Sequence, residues 1–253
     1  MSNYVKLDIE NGIGTVEFFT EQSNSLPGDI LKKLADTITE AGSNPDIKVI
    51  ILKSGGNRTF CAGASFDELM AVDSPENGKK FFMGFANVIN AMRKCPKFII
   101  GRLQGKAVGG GIGLAASVDY CFASKHSAIK LSELALGIGP FVVGPAIERK
   151  VGLSAMSQMA MNPDEFYDPK WAHQKGLFGK LYDDAASLDK AVNQLAEKLA
   201  AYNPEAMAEL KKVFWQGTEH WDELLAERAE MSGKLVLSEF TRNFIQKFKE
   251  KAS

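Results

Sequence analysis

Apolar and polar positions along the chain alternate between two periods and then settle on one. "YVKLDIENGIGTVEFF" alternates on either side of Asn11-Gly12, which predicts two antiparallel strands joined by a type I′ turn. "GDILKKLADTITEA" places Ile30, Leu31, Leu34, Ile38 and Ala41 at helical spacing. "IKVIILKS" is an unbroken apolar run of strand length, as expected of a strand buried on both faces. After the loop "GGNRTFCAGASFDELM", a helix rich in Phe and Met is predicted from about Lys80 to Lys94. "PKFIIGRLQGKAV" reads as a second buried strand, and "SVDYCFAS" and "SAIKLSELALGIG" as further short strands and turns. Strands alternating with helices place this part of the chain in the α/β class.

From about Leu188 onward only the helical period remains. Leu188, Val192, Leu195, Leu199 and Tyr202 form one stripe, and Asn203-Pro204 supplies an N-cap and a first-turn proline for the next helix. Two more helical stretches run to the C-terminus. The expected organisation is therefore an α/β core over 1–187 and a helical region over 188–253. That region carries more apolar face than one domain edge can bury, so it is expected to pack across subunits.

Composition narrows the partners. The 253 residues are 45% hydrophobic and 24% charged, as in ordinary globular domains, and the formal net charge is −1. Such a balance gives no whole-molecule field favouring nucleic acid or an anionic membrane. The first residues lack the basic and apolar segments of a signal peptide, and no apolar run approaches the ~20 residues that span a bilayer. Cys61, Cys95 and Cys121 form no CxxC pair, which suggests reduced thiols and a cytoplasmic location. His126, His173 and His220 are too scattered for a zinc site, so no metal is expected.

The stretch that departs from ordinary core composition is "GKAVGGGIGLAASVDY", with four glycines in the five residues Gly109–Gly113. Three readings fit it. Gly111-x-Gly113-x-x-Ala116 matches a short dinucleotide fingerprint, and Glu133 even stands at the acidic spacing. "SVDYCFAS", however, leaves little room for a full crossover helix. The glycines also suit close packing of a helix start on a sheet. In the third reading, the bare backbone at a helix start donates N–H groups to developing negative charge. An oxyanion hole normally wants two such donors, and Ala62-Gly63-Ala64 in "FCAGASFDELM" offers a second small-residue loop.

"FCAGASFDEL", "GKAVGGGIGLAASVDY" and "KLSELALGIGP", in this order and spacing, resemble the crotonase (enoyl-CoA hydratase/isomerase) superfamily over essentially the whole chain. The resemblance implies a crotonase-like spiral of ββα units with a helical C-terminal region. It also implies acyl-CoA substrates and assembly as a homotrimer or a dimer of trimers. Coenzyme A would be part of the substrate, with no separate cofactor.

Carried over residue by residue, the family's oxyanion donors correspond to the backbone N–H groups of Ala64 and Gly110. Ser25, Leu26 and Ala62 match segments that line the coenzyme A channel in relatives. Lys247 sits where members often place a lysine near the nucleotide end, although it also reads as an ordinary solvated helix lysine. Hydratases of the family use two glutamates. The first position is occupied here by Gly113, whereas the second, twenty residues on, is Glu133. Asp67 and Glu68 correspond to no family acid. Phe141, in "LGIGPFVVGP", would crowd water near the acyl carbons, and the segment resembles Δ3,Δ2-enoyl-CoA isomerases that also lack the first glutamate. The expectation is an isomerase with Glu133 as its proton shuttle. A hydratase, a decarboxylase or another crotonase chemistry, and a non-catalytic acyl-CoA binder are the alternatives.

Overall fold

The computed structural model describes residues 2–252, with side chains through Lys247. The chain opens with β1 (Tyr4–Glu10) and β2 (Ile13–Phe19), paired antiparallel with Glu10 opposite Ile13. Asn11 and Gly12 both have positive φ, 51° and 80°, as a type I′ turn requires. A short β3 (Ser25–Leu26) leads into α1 (Gly28–Ser43), which buries Ile30, Leu31, Leu34, Ile38 and Ala41 as their spacing predicts. Next come β4 (Val49–Ser54), β5 (Thr59–Cys61), β6 (Gly63–Ala64) and the short α2 (Phe66–Met70). The phenylalanine-rich helix is α3 (Pro75–Lys94). It starts five residues earlier than its periodicity suggests, because Ser74 caps it, accepting from the Asn77 N–H at 3.3 Å, with Pro75 in the first turn.

The expected single strand over "PKFIIGRLQGKAV" is two strands in different sheets, β7 (Phe98–Leu103) and β8 (Lys106–Val108). The break falls at Gly105, where a Cβ would lie 1.8 Å from the Arg58 carbonyl oxygen, so only bare backbone passes there. The buried Gln104 amide pins the turn by donating to Ser54 Oγ at 2.9 Å and the Thr59 carbonyl at 3.1 Å. Then follow α4 (Gly110–Ser117), β9 (Tyr120–Ser124), β10 (Ile129–Lys130), α5 (Gly144–Met161), α6 (Pro169–Gln174) and β11 (Lys180–Tyr182). The helical region comprises α7 (Ala185–Ala200), α8 (Pro204–Phe214), α9 (Trp221–Leu235) and α10 (Glu239–Ala252).

The main sheet has strand order β1-β2-β4-β7-β9-β11 and is parallel apart from the opening hairpin. A second sheet, β10-β8-β5, and the β3-β6 pair sit beside it. β4 and β7 are covered on both sides, as their unbroken apolar runs imply. One face packs on the main core with α1 and α3, and the other meets α7. The expected stripe of α7 holds in part: Leu188 and Val192 are buried and Leu195 and Leu199 pack partly buried on the same cluster, but its centre is shifted to Ala196 and Ala200, and Tyr202 is 58% exposed beyond the helix end. The two alanines let this helix lie close on Val49, Ile51 and Phe98.

α8 is tied to the sheet by a buried charge. Asp119 accepts from the Ile99 N–H at 2.7 Å and from Trp215 Nε1 at 3.1 Å, and pairs with Lys211 Nζ at 2.9 Å. Lys211 also donates to the Lys97 carbonyl at 2.7 Å, which satisfies an ammonium that is 2% exposed.

α3 and α9 cross at bare backbone. A Cβ on Gly78 would lie 2.6 Å from the Gly233 carbonyl oxygen, and one on Gly233 would lie 2.5 Å from the Lys79 nitrogen. Backbone cannot yield as a side chain can, so Gly233→Val should destabilise the fold by about 3 kcal/mol, the upper end for overpacked cores. Urea unfolding checks this. The midpoint should fall with little change in slope, and a midpoint shift worth less than about 0.5 kcal/mol would contradict the crossing.

Candidate active site

A cavity of about 390 Å³ opens where β6, α3, α4 and the segment after β10 converge. Its floor is the start of α4. Gly109, at φ 52° and ψ −118°, turns the chain into the helix in a conformation that favours glycine. The first-turn N–H groups of any helix, here beginning with Gly110, have no intrahelical acceptor and carry the positive end of the helix dipole. Gly110 lies under the Phe85 ring, whose Cζ would be 2.3 Å from a Cβ at that position.

The second small-residue loop abuts the first. Gly63, at φ 95°, would place a Cβ 3.2 Å from the Val108 carbonyl oxygen and 3.7 Å from the Gly110 nitrogen. Ala62, Gly63, Ala64, Gly109 and Gly110 all line the cavity. Ser25 lines it too, and its hydroxyl donates to the Ala64 carbonyl at 2.9 Å, bracing β6 against β3. Ser65 then caps α2 by accepting from the Glu68 N–H at 3.3 Å.

Glu133 enters from the other side. It begins one 3₁₀ turn, Leu134–Leu136, that ends on Gly137 at φ 81°. The Glu133 carbonyl accepts from the Leu136 and Ile138 N–H groups, both at 3.1 Å, so the backbone bearing the carboxylate is held on its C-terminal side. The side chain lies against Gly109, where a Cβ would be 3.0 Å from Oε1. Part of the residue faces the open cavity, but Oε2 is buried and has no hydrogen-bond partner among the described residues. Burial pushes the Glu133 carboxyl up to about 7, from an ordinary value of 4.5. It is the one ionisable side chain among the described residues lining this apolar cavity.

The other singled-out residues fall in different places. Gly113 is buried on α4 and does not line the cavity. A Cβ there would lie 2.6 Å from Val143 Cγ1 and 3.7 Å from Ile89 Cδ1, so Val143, which does line the cavity, fills that space. Phe141 lines the cavity with its ring over Gly139. Leu26 does not reach the cavity: its side chain is fully buried in the main core, and only its carbonyl serves the loop, accepting from the Ser65 N–H at 3.0 Å. Lys247 is exposed on α10, three residues beyond Phe244, which lines the cavity. Glu68 is outside, accepting from the Gly28 N–H at 2.8 Å at the start of α1, and Asp67 accepts from Gln22 Nε2 at 3.4 Å. Of the phenylalanine-rich helix, Phe81, Phe82 and Phe85 reach the cavity, whereas Met83 packs on the core.

Sequence reasoning missed Phe66, Leu69, Val143, Ser232 and Phe244 as lining residues. Ser65 followed three residues later by Glu68 is a helix-start signature that signals α2 and hence the first two. Nothing local marks Ser232 or Phe244, which reach the cavity only through the packing of α9 and α10.

Comparison with known proteins gives a consistent answer. The family model described as enoyl-CoA hydratase/isomerase matches residues 8–253. A short-chain-enoyl-CoA hydratase of Clostridium acetobutylicum is 27% identical over 252 residues, covering 98% of this chain and 95% of its own. A peroxisomal Δ(3,5)-Δ(2,4)-dienoyl-CoA isomerase of Arabidopsis thaliana is 26% identical over 211 residues, 78% of this chain and 74% of its own. The crystal structure of an enoyl-CoA hydratase from Bacillus halodurans superposes with a TM-score of 0.88 over 96% of this chain and 99% of that one, at 18% identity. The protein belongs to the enoyl-CoA hydratase/isomerase family, and its fold is the crotonase fold.

Proposed function

We propose that this enzyme shifts the double bond of an enoyl-CoA, with Glu133 as the single proton carrier. The observation that carries the reading is the solitary carboxylate in a mostly apolar cavity, its Oε2 buried without a partner among the described residues, beside bare backbone at Gly109 and Gly110. Ionised Glu133 takes a proton from C2 of a 3-enoyl-CoA, and the electron pair moves into a dienolate whose oxygen accepts from the Ala64 and Gly110 N–H groups. The protonated carboxyl then returns the same proton to C4, leaving a 2-enoyl-CoA and the original carboxylate. One group suffices because it both takes and gives. Net hydration needs one group to activate water and another to protonate carbon, and the place for a second acid at position 113 is closed by Val143.

The same reading makes acyl-CoA the partner in a cytoplasmic setting and the working form a trimer or dimer of trimers. Leu210, Val213 and Phe214 leave an apolar face on α8 that is about half exposed in the single chain. Among the described residues, no helix is long and apolar enough to cross a membrane, and no side-chain group is arranged to hold a metal ion.

Glu133→Gln should fold yet lose about 10²–10⁴-fold in turnover, the usual contribution of a positioned acid–base group. Isomerisation of 3-enoyl-CoA followed by chromatography checks this, and near-normal activity would remove Glu133 from the mechanism.

The pH dependence has a definite sign. Turnover requires ionised Glu133, so kcat/KM should rise through about pH 7 and level off above it. Stability should do the opposite. The folded state holds this proton more tightly than the unfolded chain, so stability should fall between about pH 4.5 and about pH 7 and stay flat beyond. Each pK unit is worth about 1.4 kcal/mol, so the decline should total about 3 kcal/mol. Urea unfolding across this range should show the decline in the wild type and lose it in Glu133→Gln.

Room for a second acid is the remaining test. Gly113→Glu alone drives a side chain into Val143 and should destabilise by about 1–3 kcal/mol. Gly113→Glu with Val143→Ala makes space, and two neighbouring carboxylates split their pKa values into an acid and a base. Hydration of 2-enoyl-CoA should then rise by about 10²-fold. Brisk hydration by the wild-type protein, seen as added water mass, would instead establish the hydratase alternative.

A further inference from the structure

A second cavity of about 550 Å³ lies against the first, and Phe81 lines both. The helix geometry explains how one ring does so. At about 100° per residue, Phe82 and Phe85 point to one side of Phe81, at about +100° and +40°. Asn77, Gly84, Lys80 and Asn87 point to the other, at about −40°, −60°, −100° and −120°. Phe82 and Phe85 line only the first cavity, whereas Asn77, Lys80, Gly84 and Asn87 line only the second. Phe81 is therefore the ridge of α3 between two adjacent hollows.

The facing wall crosses the same divide. Phe66 and Leu69 of α2 line the first cavity, and Ala71 and Val72, just beyond, line the second. The Phe81 ring is steadied by an edge-on contact with Phe82, their centroids 5.0 Å apart at 88°. A bare Gly84 one turn below keeps the second hollow open next to Leu31 of α1. The part of the hollow next to the ring is apolar, formed by Ala71, Val72 and Gly84, and its open, solvent-facing side carries Asp29, Lys32, Glu68, Asn77, Lys80 and Asn87.

We infer that Phe81 sets the acyl-chain length limit of this enzyme by closing the first cavity against a ready-made second one. This rests on the acyl-CoA reading of the cavity but not on the isomerisation chemistry. The ring ends the apolar wall that a short chain follows, and without it the wall continues past Ala71 and Val72 into the second hollow.

Binding of saturated acyl-CoAs, which have no double bond to move, tests this directly. Dissociation constants for acyl chains from four to fourteen carbons should be measured by calorimetry on the intact protein. In the wild type, affinity should rise by about fourfold per added methylene and then stop at a break, because each buried methylene contributes a fixed increment. Phe81→Ala should move the break outward by several carbons, and Phe81→Leu, which keeps more of the volume and guards against misfolding, should move it less. Ala71→Phe added to Phe81→Ala refills the second hollow and should bring the break back. The same break in wild type and in both Phe81 variants would overturn the inference, as would a wild-type affinity that climbs without a break to fourteen carbons. Failure of the isomerase reading shows elsewhere, as wild-type protein that binds this series normally but leaves 3-enoyl-CoA unchanged.

Discussion

Two turns of backbone must touch for this protein to have a site at all. The turn through Gly63 and the start of α4 at Gly110 approach so closely that a single added carbon at several positions would meet backbone or a ring. A Cβ on Gly111 would lie 2.5 Å from the Cys61 carbonyl oxygen, and one on Gly110 would enter the Phe85 ring. The sheets follow from the same requirement. β5 and β8 pair so that the chain leaving each runs to the contact, and the Gly105 break lifts β8 out of the main sheet to reach it.

The electrostatics of the site depend on that contact too. A carboxylate loses ionisation when it is stripped of water and given too few donors in return: at Glu133 burial outweighs the backbone N–H groups of Ser132 and Glu133, which favour the charged form, and Oε2 is left without a partner among the described residues. Its nearest surroundings are glycine backbone and hydrocarbon. In the proposed mechanism the apolar character of the cavity is thus part of what would make the one acid reactive, and not only a means of holding a hydrocarbon chain.

Much of this architecture is legible in the sequence because its signals are local. The Asn11-Gly12 turn, the unbroken apolar run of β4 and the Asn203-Pro204 start of α8 are each fixed by neighbours in the chain. The glycine cluster and the acid after it are legible through resemblance, since the chemistry needs bare backbone and a carboxylate at set places. What the sequence hides is contact between distant segments. No local pattern shows that Gly105 must pass against Arg58, that Val143 occupies the space beside Gly113, or that Leu26 turns inward while Ser25 faces the cavity. The alanines at the centre of the packing face of α7 are hidden for a similar reason. Larger residues look like the packing face, but the alanines are there because the sheet is close.

The buried Asp119 has a consequence for how the chain assembles. Its side-chain partners Lys211 and Trp215 lie more than ninety residues downstream. Until α8 docks, the end of the sheet holds an anion whose principal counter-charge is missing, and a half-built molecule of that kind must either hydrate the site or leave it unformed. The sheet and the helical region are thereby coupled through one buried ion pair that forms only when a long stretch of chain closes. A ribosome releasing this chain in order completes the strands well before it delivers the lysine that lets them settle.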